Sequence, residues 1–221
     1  LIPMFYTPVM LRILGQSEYG LYSLANSVVG YLSLLTFGLG STIVRYVAKY
    51  RAEGDKKGEE KVIGLFILMY CFLAIFVLIG GTIIAGNVEA IFHRGLTDSE
   101  IVKIAILVKI MAFNTAISFP ISVFGSIIIA HEKYVYRQAV NILSTIAVPC
   151  ANLVVLYLGY GSIGMSIVST GLQFLMLPLN AGYCFKVLGI RPKFRKLPIK
   201  LIKEITRFSI FVFIGSIVDM L

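Results

Sequence analysis

The sequence predicts an all-α polytopic membrane protein, and three observations carry this prediction. Repeated apolar runs reach the length of about 20 residues that a helix needs to cross the hydrocarbon core of a bilayer. Only 14% of the 221 residues are charged, whereas a soluble domain carries about 25%. The runs lack the alternating pattern of barrel strands, and a lipid-exposed backbone must form its hydrogen bonds within its own segment. Helices are therefore the predicted structure.

Seven apolar segments follow one another along the chain. A remnant of a first helix covers 1–14. Full-length spans are predicted at 19–44, 62–88, 99–130, 135–158 and 162–188, and a seventh helix starts at 205 and runs to 221. The chain begins and ends inside apolar runs, so we expect it to be part of a longer protein.

Basic residues are concentrated in alternate connections between these segments. The connections 45–61, 131–138 and 186–207 hold 16 of the 20 Lys and Arg residues. This is the positive-inside pattern, because cations are retained on the side of the membrane that is not translocated. We therefore predict that these three loops are cytoplasmic. The net charge of +9 has the same origin, and no basic patch interleaved with aromatic residues indicates nucleic-acid binding.

The third basic connection contains a candidate amphipathic helix and the predicted domain boundary. In "LPIKLIKEITRF", cations recur at helical spacing around apolar residues, and Pro198 occupies a position where a helix starts. A helix lying on the cytoplasmic face of the membrane and a solvated linker both fit this pattern. The predicted organisation is a transmembrane lobe over 1–188, a cytoplasmic basic linker over 189–204 and the start of a second lobe over 205–221.

Polar and ionisable residues inside the apolar runs are candidate functional residues, because burying them in a membrane is costly. Lys109 is flanked by "AILV" and "IMAF". It either faces the interior of the helix bundle or extends its amine to the lipid headgroups. Asn114 follows in the same span. Asp219 lies deep in the seventh helix if that helix continues.

The second span places small and weakly polar residues on one stripe, which starts at Asn26 and continues through Gly30, Ser33 and Gly40. Such a stripe either lets helices pack closely or lines a wet cavity. Both alternatives stay open, and Asn26 is a candidate binding residue under the second.

Signatures of enzymatic chemistry are absent from the sequence. It has no P-loop, no HExxH pattern and no Ser–His–Asp set. Its three cysteines are scattered through apolar runs, without disulfide or metal-ligand spacing. We expect no cofactor, no metal and no enzymatic activity. The sequence predicts a protein that moves, binds or anchors something.

Three stretches resemble the polysaccharide flippase family, the bacterial exporters of lipid-linked O-antigen and capsule repeat units. They are "LRILGQSEYGLYSLANSVVGYLSLLTFGLGSTIVRYVAKYRAEGD", "SVFGSIIIAHEKYVYRQAVNIL" and "VLGIRPKFRKLPIKLIKEITRFSIFVFIGSIVDML". The resemblance covers essentially the whole chain, in the right order. It implies the N-terminal six-helix lobe of a two-lobe transporter, plus the start of the seventh helix, within the superfamily of multidrug, oligosaccharidyl-lipid and polysaccharide exporters.

The resemblance implies a function as well as a fold. Proteins of this family flip an undecaprenyl-pyrophosphate-linked oligosaccharide across the bacterial cytoplasmic (inner) membrane, by alternating access. Lys109 is then the candidate for contacting the anionic pyrophosphate, and Asn26, Asn114 and Asp219 are further substrate-binding candidates. Arg45 either meets the headgroup on entry or anchors its helix at the interface.

Two other functions stay open. A cation-coupled multidrug exporter of the same superfamily needs buried carboxylates for sodium ions or protons, and spans two to six carry no Asp or Glu near their middle. For the flippase, a coupling ion, either a proton or sodium, stays an open alternative. Thr36 stands where many flippase relatives carry an acid or an amide, so the role of this position in ion coupling also stays open. The other alternative is a membrane assembly protein without transport activity, which a fold lacking a polar cavity would favour.

Overall fold

Helices make up the regular structure of the residues that the computed structural model describes, which are 2–33, 36, 38–92, 95–195, 197–198 and 201–207. The helices in chain order are α1 (Ile2–Ser33), α2 (Leu39–Ala52), α3 (Lys56–Gly86), α4 (Val88–Ile91), α5 (Asp98–Ala130), α6 (Tyr134–Tyr157), α7 (Gly161–Gly182) and α8 (201–207). A π-helical turn, Tyr183–Val187, continues α7.

Within the described residues, four helices are long and apolar enough to cross a membrane. They are α3, α5, α6 and α7 with its π-helical extension, at 31, 33, 24 and 27 residues. At a rise of about 1.5 Å per residue, each is longer than the roughly 30 Å thickness of a hydrocarbon core. The prediction of an all-α polytopic membrane protein is confirmed.

The second span, predicted as one helix over 19–44, is wrong in its second half. α1 ends at Ser33, and α2 begins at Leu39, after Gly38 adopts a left-handed backbone with φ 67°. Glycine has no Cβ, so this conformation carries no steric cost there. The polar stripe that begins at Asn26 is therefore interrupted, and only its first half lies on α1.

The basic connections are shorter than predicted, because the charged residues at their edges are helical. The connection 45–61 reduces to 53–55 between α2 and α3, and 131–138 reduces to 131–133 between α5 and α6. Lys and Arg are good helix formers, so they are as compatible with an exposed helical turn as with a loop. Charge therefore located these helix ends without fixing their boundaries.

The amphipathic helix predicted in the third basic connection is present as α8. Ile205 is fully buried, whereas Lys203 and Arg207 are exposed. This is the arrangement that the charge spacing predicts for a helix with one apolar face.

The predicted division into a lobe over 1–188, a linker over 189–204 and a second lobe over 205–221 stays a prediction. Residues 208–221, which include Asp219 and most of the predicted seventh helix, lie outside the described residues.

Packing divides the chain into two units. Unit 1 comprises Leu1–Ser33, Ile75–Ile117 and Ala139–Leu175, and unit 2 comprises Leu34–Ala74, Ser118–Gln138 and Met176–Leu221. In unit 1, residues of α1, α3, α4 and α5 form a hydrophobic core of Leu21, Ala25, Val29, Ala85, Val88, Ile104, Leu107, Val108 and Met111. This core holds the helices that carry the polar residues described below.

Unit 2 brings the three basic connections together. His131 Nε2 lies 2.9 Å from Glu59 Oε1, which joins the second connection to the beginning of α3, next to the first connection. The Lys193 ammonium lies 2.5 Å from Glu60 Oε2, which joins the third connection to the same part of α3. The three connections therefore meet at the same end of the helices of this unit, as the alternation of charge along the sequence predicts.

Glu18, near the middle of α1, joins this helix to the beginnings of α5 and α7 in unit 1. It follows a kink at Gly15, where φ is 77° and the helical geometry of α1 is interrupted. Glu18 Oε2 lies 2.9 Å from the Lys103 ammonium. Glu18 Oε1 accepts hydrogen bonds from the Ser162 N–H at 2.7 Å and from the Ser162 hydroxyl at 2.8 Å. The carboxylate thus satisfies an N–H in the first turn of α7, which has no partner inside its own helix.

The pKa of the Glu18 carboxyl, which lies between the predicted spans 1–14 and 19–44, is lower than its ordinary value of 4.5. Burial alone raises this pKa, but the hydrogen bonds from Lys103 and Ser162 and the charge of Lys103 outweigh burial. Because the folded state holds the ionised form more strongly, this carboxylate stabilises the fold at neutral pH. That contribution is lost as the pH falls through the folded-state pKa.

We expect Glu18→Gln to lower the free energy of unfolding at neutral pH by about 1–2 kcal/mol, because hydrogen bonds to a charged group are lost. The measurement is the thermal unfolding midpoint of the full-length protein in detergent, at neutral pH and at the lowest pH at which the wild type stays folded. The difference from wild type should be smaller at the lower pH, because protonation of the wild-type carboxyl increases as the pH falls. The control is Glu89→Gln, at an exposed position of α4. A Glu18→Gln difference of the same size at both pH values would contradict the linkage.

We expect Gly64→Ala to destabilise the protein by about 1–3 kcal/mol, because the added methyl group overpacks a backbone contact. A Cβ at Gly64 would overlap the carbonyl oxygen of Lys193, whose N–H donates to the Glu60 carbonyl at 3.0 Å. A backbone carbonyl cannot move aside by side-chain rotation. The matched control is Gly171→Ala in α7, where a Cβ meets no atom within 4 Å. Equal unfolding midpoints for the two variants would refute this contact.

Candidate functional site

A polar cavity lies within unit 1, between α1, α5 and α7. Its volume is about 110 Å³, which is room for a few water molecules. The cavity is lined by Tyr22, Asn26, Val29, Met111, Asn114, Thr115, Ser166, Ser169 and Thr170. Seven of these nine residues carry a hydroxyl or an amide. In a membrane protein such groups need polar partners, because lipid supplies none.

α7 supplies one wall of the cavity through hydroxyls at four-residue intervals. The Ser166 hydroxyl donates to the Ser162 carbonyl at 3.0 Å, and the Thr170 hydroxyl donates to the Ser166 carbonyl at 2.7 Å. Residues four apart lie on the same face of a helix. These bonds use the hydroxyl protons, so the oxygens remain available as acceptors.

α5 contributes an amide from its midpoint. Asn114 is the central residue of Asp98–Ala130, and its Nδ2 donates to the Thr170 hydroxyl oxygen at 3.2 Å. A second bond connects α7 to α6, because the Ser169 hydroxyl donates to Oδ1 of the buried Asn152 at 3.0 Å. Both bonds fix polar groups at positions that the hydrophobic pattern alone leaves undefined.

Lys109 lies in a separate groove of about 330 Å³, which is lined by Lys109, Ile110, Phe113, Ile167 and Thr170. Thr170 lines both this groove and the polar cavity. Lys109 is exposed, and the described part of the chain gives its ammonium neither an ion pair nor a hydrogen bond. It is five residues from the midpoint of α5, about 7.5 Å along the axis. An ammonium at this depth attracts an anionic group, because lipid offers it no counter-charge.

A larger groove of about 590 Å³ surrounds Glu18, but its polar groups are already bonded to one another. Glu18 holds Lys103 and Ser162, and the Ser17 hydroxyl donates to Glu100 Oε1 at 2.8 Å. Ser99 also lines the groove, and its hydroxyl lies 3.2 Å from the Thr97 hydroxyl. The apolar part of the lining consists of Leu14, Leu21, Val102, Ile106 and Ile163. Paired groups of this kind fix helix ends, so this groove is not the candidate site.

The structure brings two of the predicted binding residues together. Asn26 and Asn114 line the same polar cavity, and Lys109 lies in the groove beside it. Arg45 is exposed on α2 in unit 2 and lines neither the cavity nor this groove. Asp219 lies outside the described residues. The substrate-binding roles of all five residues stay predictions.

The sequence reasoning missed the hydroxyls of α7. Ser162, Ser166 and Thr170 recur every fourth residue in "GSIGMSIVSTG", and this spacing was available in the sequence as a polar helix face. Thr115 was also missed, and no sequence signal separates it from an ordinary threonine in a membrane helix. It lines the cavity because it follows Asn114 on α5.

The arrangement is suited to binding a polar molecule that carries negative charge. Amides and hydroxyls both donate and accept hydrogen bonds, as the hydroxyls of a sugar do. The Lys109 ammonium pairs with an anion. In the described residues, no group of three or more His, Cys, Asp or Glu side chains is placed to hold a metal ion.

Comparison with known proteins gives a family and a relative. The sequence profile of the family described as "Polysaccharide biosynthesis protein" matches residues 1–221. A Salmonella typhimurium protein named "Putative O-antigen transporter" is 24% identical over 177 residues, which is 77% of this chain and 38% of that protein. The chain thus spans less than half the length of this relative. No solved structure matches the chain.

The profile match extends over the whole chain, and the all-helical membrane fold agrees with it. The chain therefore belongs to the polysaccharide biosynthesis protein family.

Proposed function

We propose that the chain is part of a flippase that carries an undecaprenyl-pyrophosphate-linked oligosaccharide across the bacterial cytoplasmic membrane. Membership of the polysaccharide biosynthesis protein family supports this proposal, as does similarity to a protein named as an O-antigen transporter. In this proposal the basic connections 45–61, 131–138 and 186–207 of the sequence face the cytoplasm, where the lipid-linked oligosaccharide is collected. Transport proceeds by alternating access, with the substrate site exposed to one side of the membrane at a time.

The observation that carries the proposal is the ammonium of Lys109. It lies within a membrane span, lines a groove and has no counter-charge among the described residues. A fixed cation of this kind pairs with a diphosphate headgroup while that group passes the apolar interior. Phe113 and Ile167 line the same groove, and their apolar surfaces suit the prenyl chain next to the diphosphate.

The polar cavity supports the sugar-binding part of the proposal. Asn114 and Thr170 connect its walls, and Thr170 also lines the Lys109 groove. A diphosphate beside Lys109 would therefore have amides and hydroxyls close to it, which can bond to the hydroxyls of the first sugar. The cavity is too small to hold several sugars, so we propose that it contacts the part of the substrate next to the diphosphate.

The lining of these two sites favours the flippase over a cation-coupled drug exporter. Among the described residues, no carboxylate lines the polar cavity or the Lys109 groove, and a carboxylate is the group that binds sodium ions or protons in such coupling. The presence of a polar cavity also weighs against an assembly protein without transport activity.

We expect Lys109→Ala to reduce transport by at least about tenfold, because a charge-assisted contact to the diphosphate is lost. The assay is complementation of a flippase-deficient strain by the full-length protein, read as surface polysaccharide per amount of transporter in the membrane. Lys109→Arg should retain most of the activity, because it keeps the charge.

The control for this test is Lys133→Ala, in the exposed connection between α5 and α6. If Lys109 only extends its amine to the headgroups, Lys109→Ala will behave like Lys133→Ala. Normal surface polysaccharide in Lys109→Ala would remove this residue from the substrate path.

We expect Asn114→Leu to reduce transport several-fold while the protein keeps its fold. In this variant the Thr170 hydroxyl still donates to the Ser166 carbonyl, so its proton keeps a hydrogen-bond partner. The substitution therefore reduces ligand binding rather than stability. Activity is measured in the same complementation assay, and folding by the unfolding midpoint. The matched control is Asn141→Leu, which replaces an exposed amide on α6. Equal activity of the two variants would show that the polar cavity takes no part in transport.

A further inference from the structure

Arg137, in the first turn of α6, lies over the surface of α5 in unit 2. A Cβ placed on Gly125 of α5 would be 2.8 Å from Arg137 Cζ and 2.9 Å from Nη1. The guanidinium therefore occupies the space that any side chain at position 125 would fill. Gly125 is itself buried. The guanidinium packs against the backbone of α5 here because Gly125 has no side chain.

The guanidinium of Arg137 has no compensating charge or hydrogen-bond acceptor in the described part of the chain. The backbone N–H of Arg137 donates to the Lys133 carbonyl at 3.2 Å, but neither an ion pair nor a hydrogen bond joins its guanidinium to another described residue. Two other cations of the same unit have partners: Arg51 donates to the Ala130 carbonyl at 2.6 Å, and Lys193 contacts Glu60. Arg137 is half-buried, whereas Lys133 in the adjoining connection is exposed. A partly buried charge without a partner is costly, so a ligand that supplies an anion is favoured.

Gly125 lies close to the end of α5 that leads into the second basic connection, and aromatic pairs flank the contact between Gly125 and Arg137. Gly125 precedes the last residue of α5 by five positions, which is about 7.5 Å along the helix. Next to it, Phe124 packs edge-on against Phe185 with ring centroids 5.6 Å apart. Tyr136, next to Arg137, stacks on Tyr183 at 3.7 Å. Both aromatic partners belong to the π-helical turn after α7, a feature that is frequent at functional sites.

We propose that Arg137, which packs against Gly125, binds the phosphate groups of an anionic lipid headgroup. A guanidinium presents paired N–H donors that match phosphate oxygens, which an ammonium cannot do with the same geometry. The headgroup belongs either to the lipid-linked diphosphate, in which case this site deepens and rests on the proposed flippase function, or to a membrane phospholipid. The phosphate chemistry is the same in both cases.

The test is equilibrium binding to the full-length protein in detergent, measured by native mass spectrometry with two probes, undecaprenyl pyrophosphate and phosphatidylglycerol. We expect Arg137→Gln to weaken at least one probe by about tenfold or more. Arg137→Lys should weaken it less, because it keeps the charge but loses the paired donors. Gly125→Ala should weaken it as well, because the methyl group displaces a guanidinium that is still present. Lys133→Gln is the control for general loss of positive charge.

Each outcome of this test decides a separate question. If Arg137→Gln, Arg137→Lys and Gly125→Ala all bind both probes as wild type does, the Arg137 site is refuted. If undecaprenyl pyrophosphate binds equally well to wild type and to Arg137→Gln, the flippase proposal stands, but Arg137 is not part of the binding site for this lipid. If the binding of phosphatidylglycerol depends on Arg137 and the protein does not bind undecaprenyl pyrophosphate, the Arg137 site is supported and the proposed substrate is overturned. An unfolding midpoint recorded for every variant excludes misfolding as the cause of lost binding.

Discussion

Hydrocarbon supplies no hydrogen-bond partner, and this property of the surrounding solvent explains most of the structure. Backbone groups within the spans are satisfied inside α3, α5, α6 and α7. Polar side chains follow the same requirement. The hydroxyls of Ser166 and Thr170 bond back to the carbonyls one turn earlier, and an N–H at the start of α7 is satisfied by Glu18. Where such partners exist, polar groups stabilise contacts between helices.

The same requirement for polar partners distinguishes the charged side chains that have a partner from those that lack one. Lys103, Lys193 and Arg51 each bond to a carboxylate or carbonyl oxygen, and these contacts hold elements of each unit together. Lys109 and Arg137 have no such bond in the described part of the chain. An uncompensated cation next to an apolar surface is unfavourable for folding alone. For both residues we therefore propose an anionic ligand, rather than a contribution to stability.

Particular residues show how far sequence patterns reach. The apolar runs predicted α5 and α6 within a residue or so of their observed ends, because span length is a local property. The break between α1 and α2 was missed, since "LLTFGLG" is as apolar as its surroundings and only the backbone of Gly38 reveals the turn. Asn26 and Asn114 were each noted as polar residues in a span, but their shared cavity requires α1 and α5 to be packed together.

Membrane class, the positions of the long spans and the grouping of the basic connections all follow from residue types read in order. Transfer from water to lipid is a sum over neighbouring residues, so it needs no knowledge of the fold. Ion pairs and side-chain hydrogen bonds differ from transfer to lipid, because they depend on distances between residues that are far apart in the chain. Only the packed helices show that Glu18 bonds to Lys103 and Ser162, whereas Lys109 has no such partner among the residues that the structure describes. The same holds for Arg137, whose position over Gly125 requires α5 and α6 to be in contact.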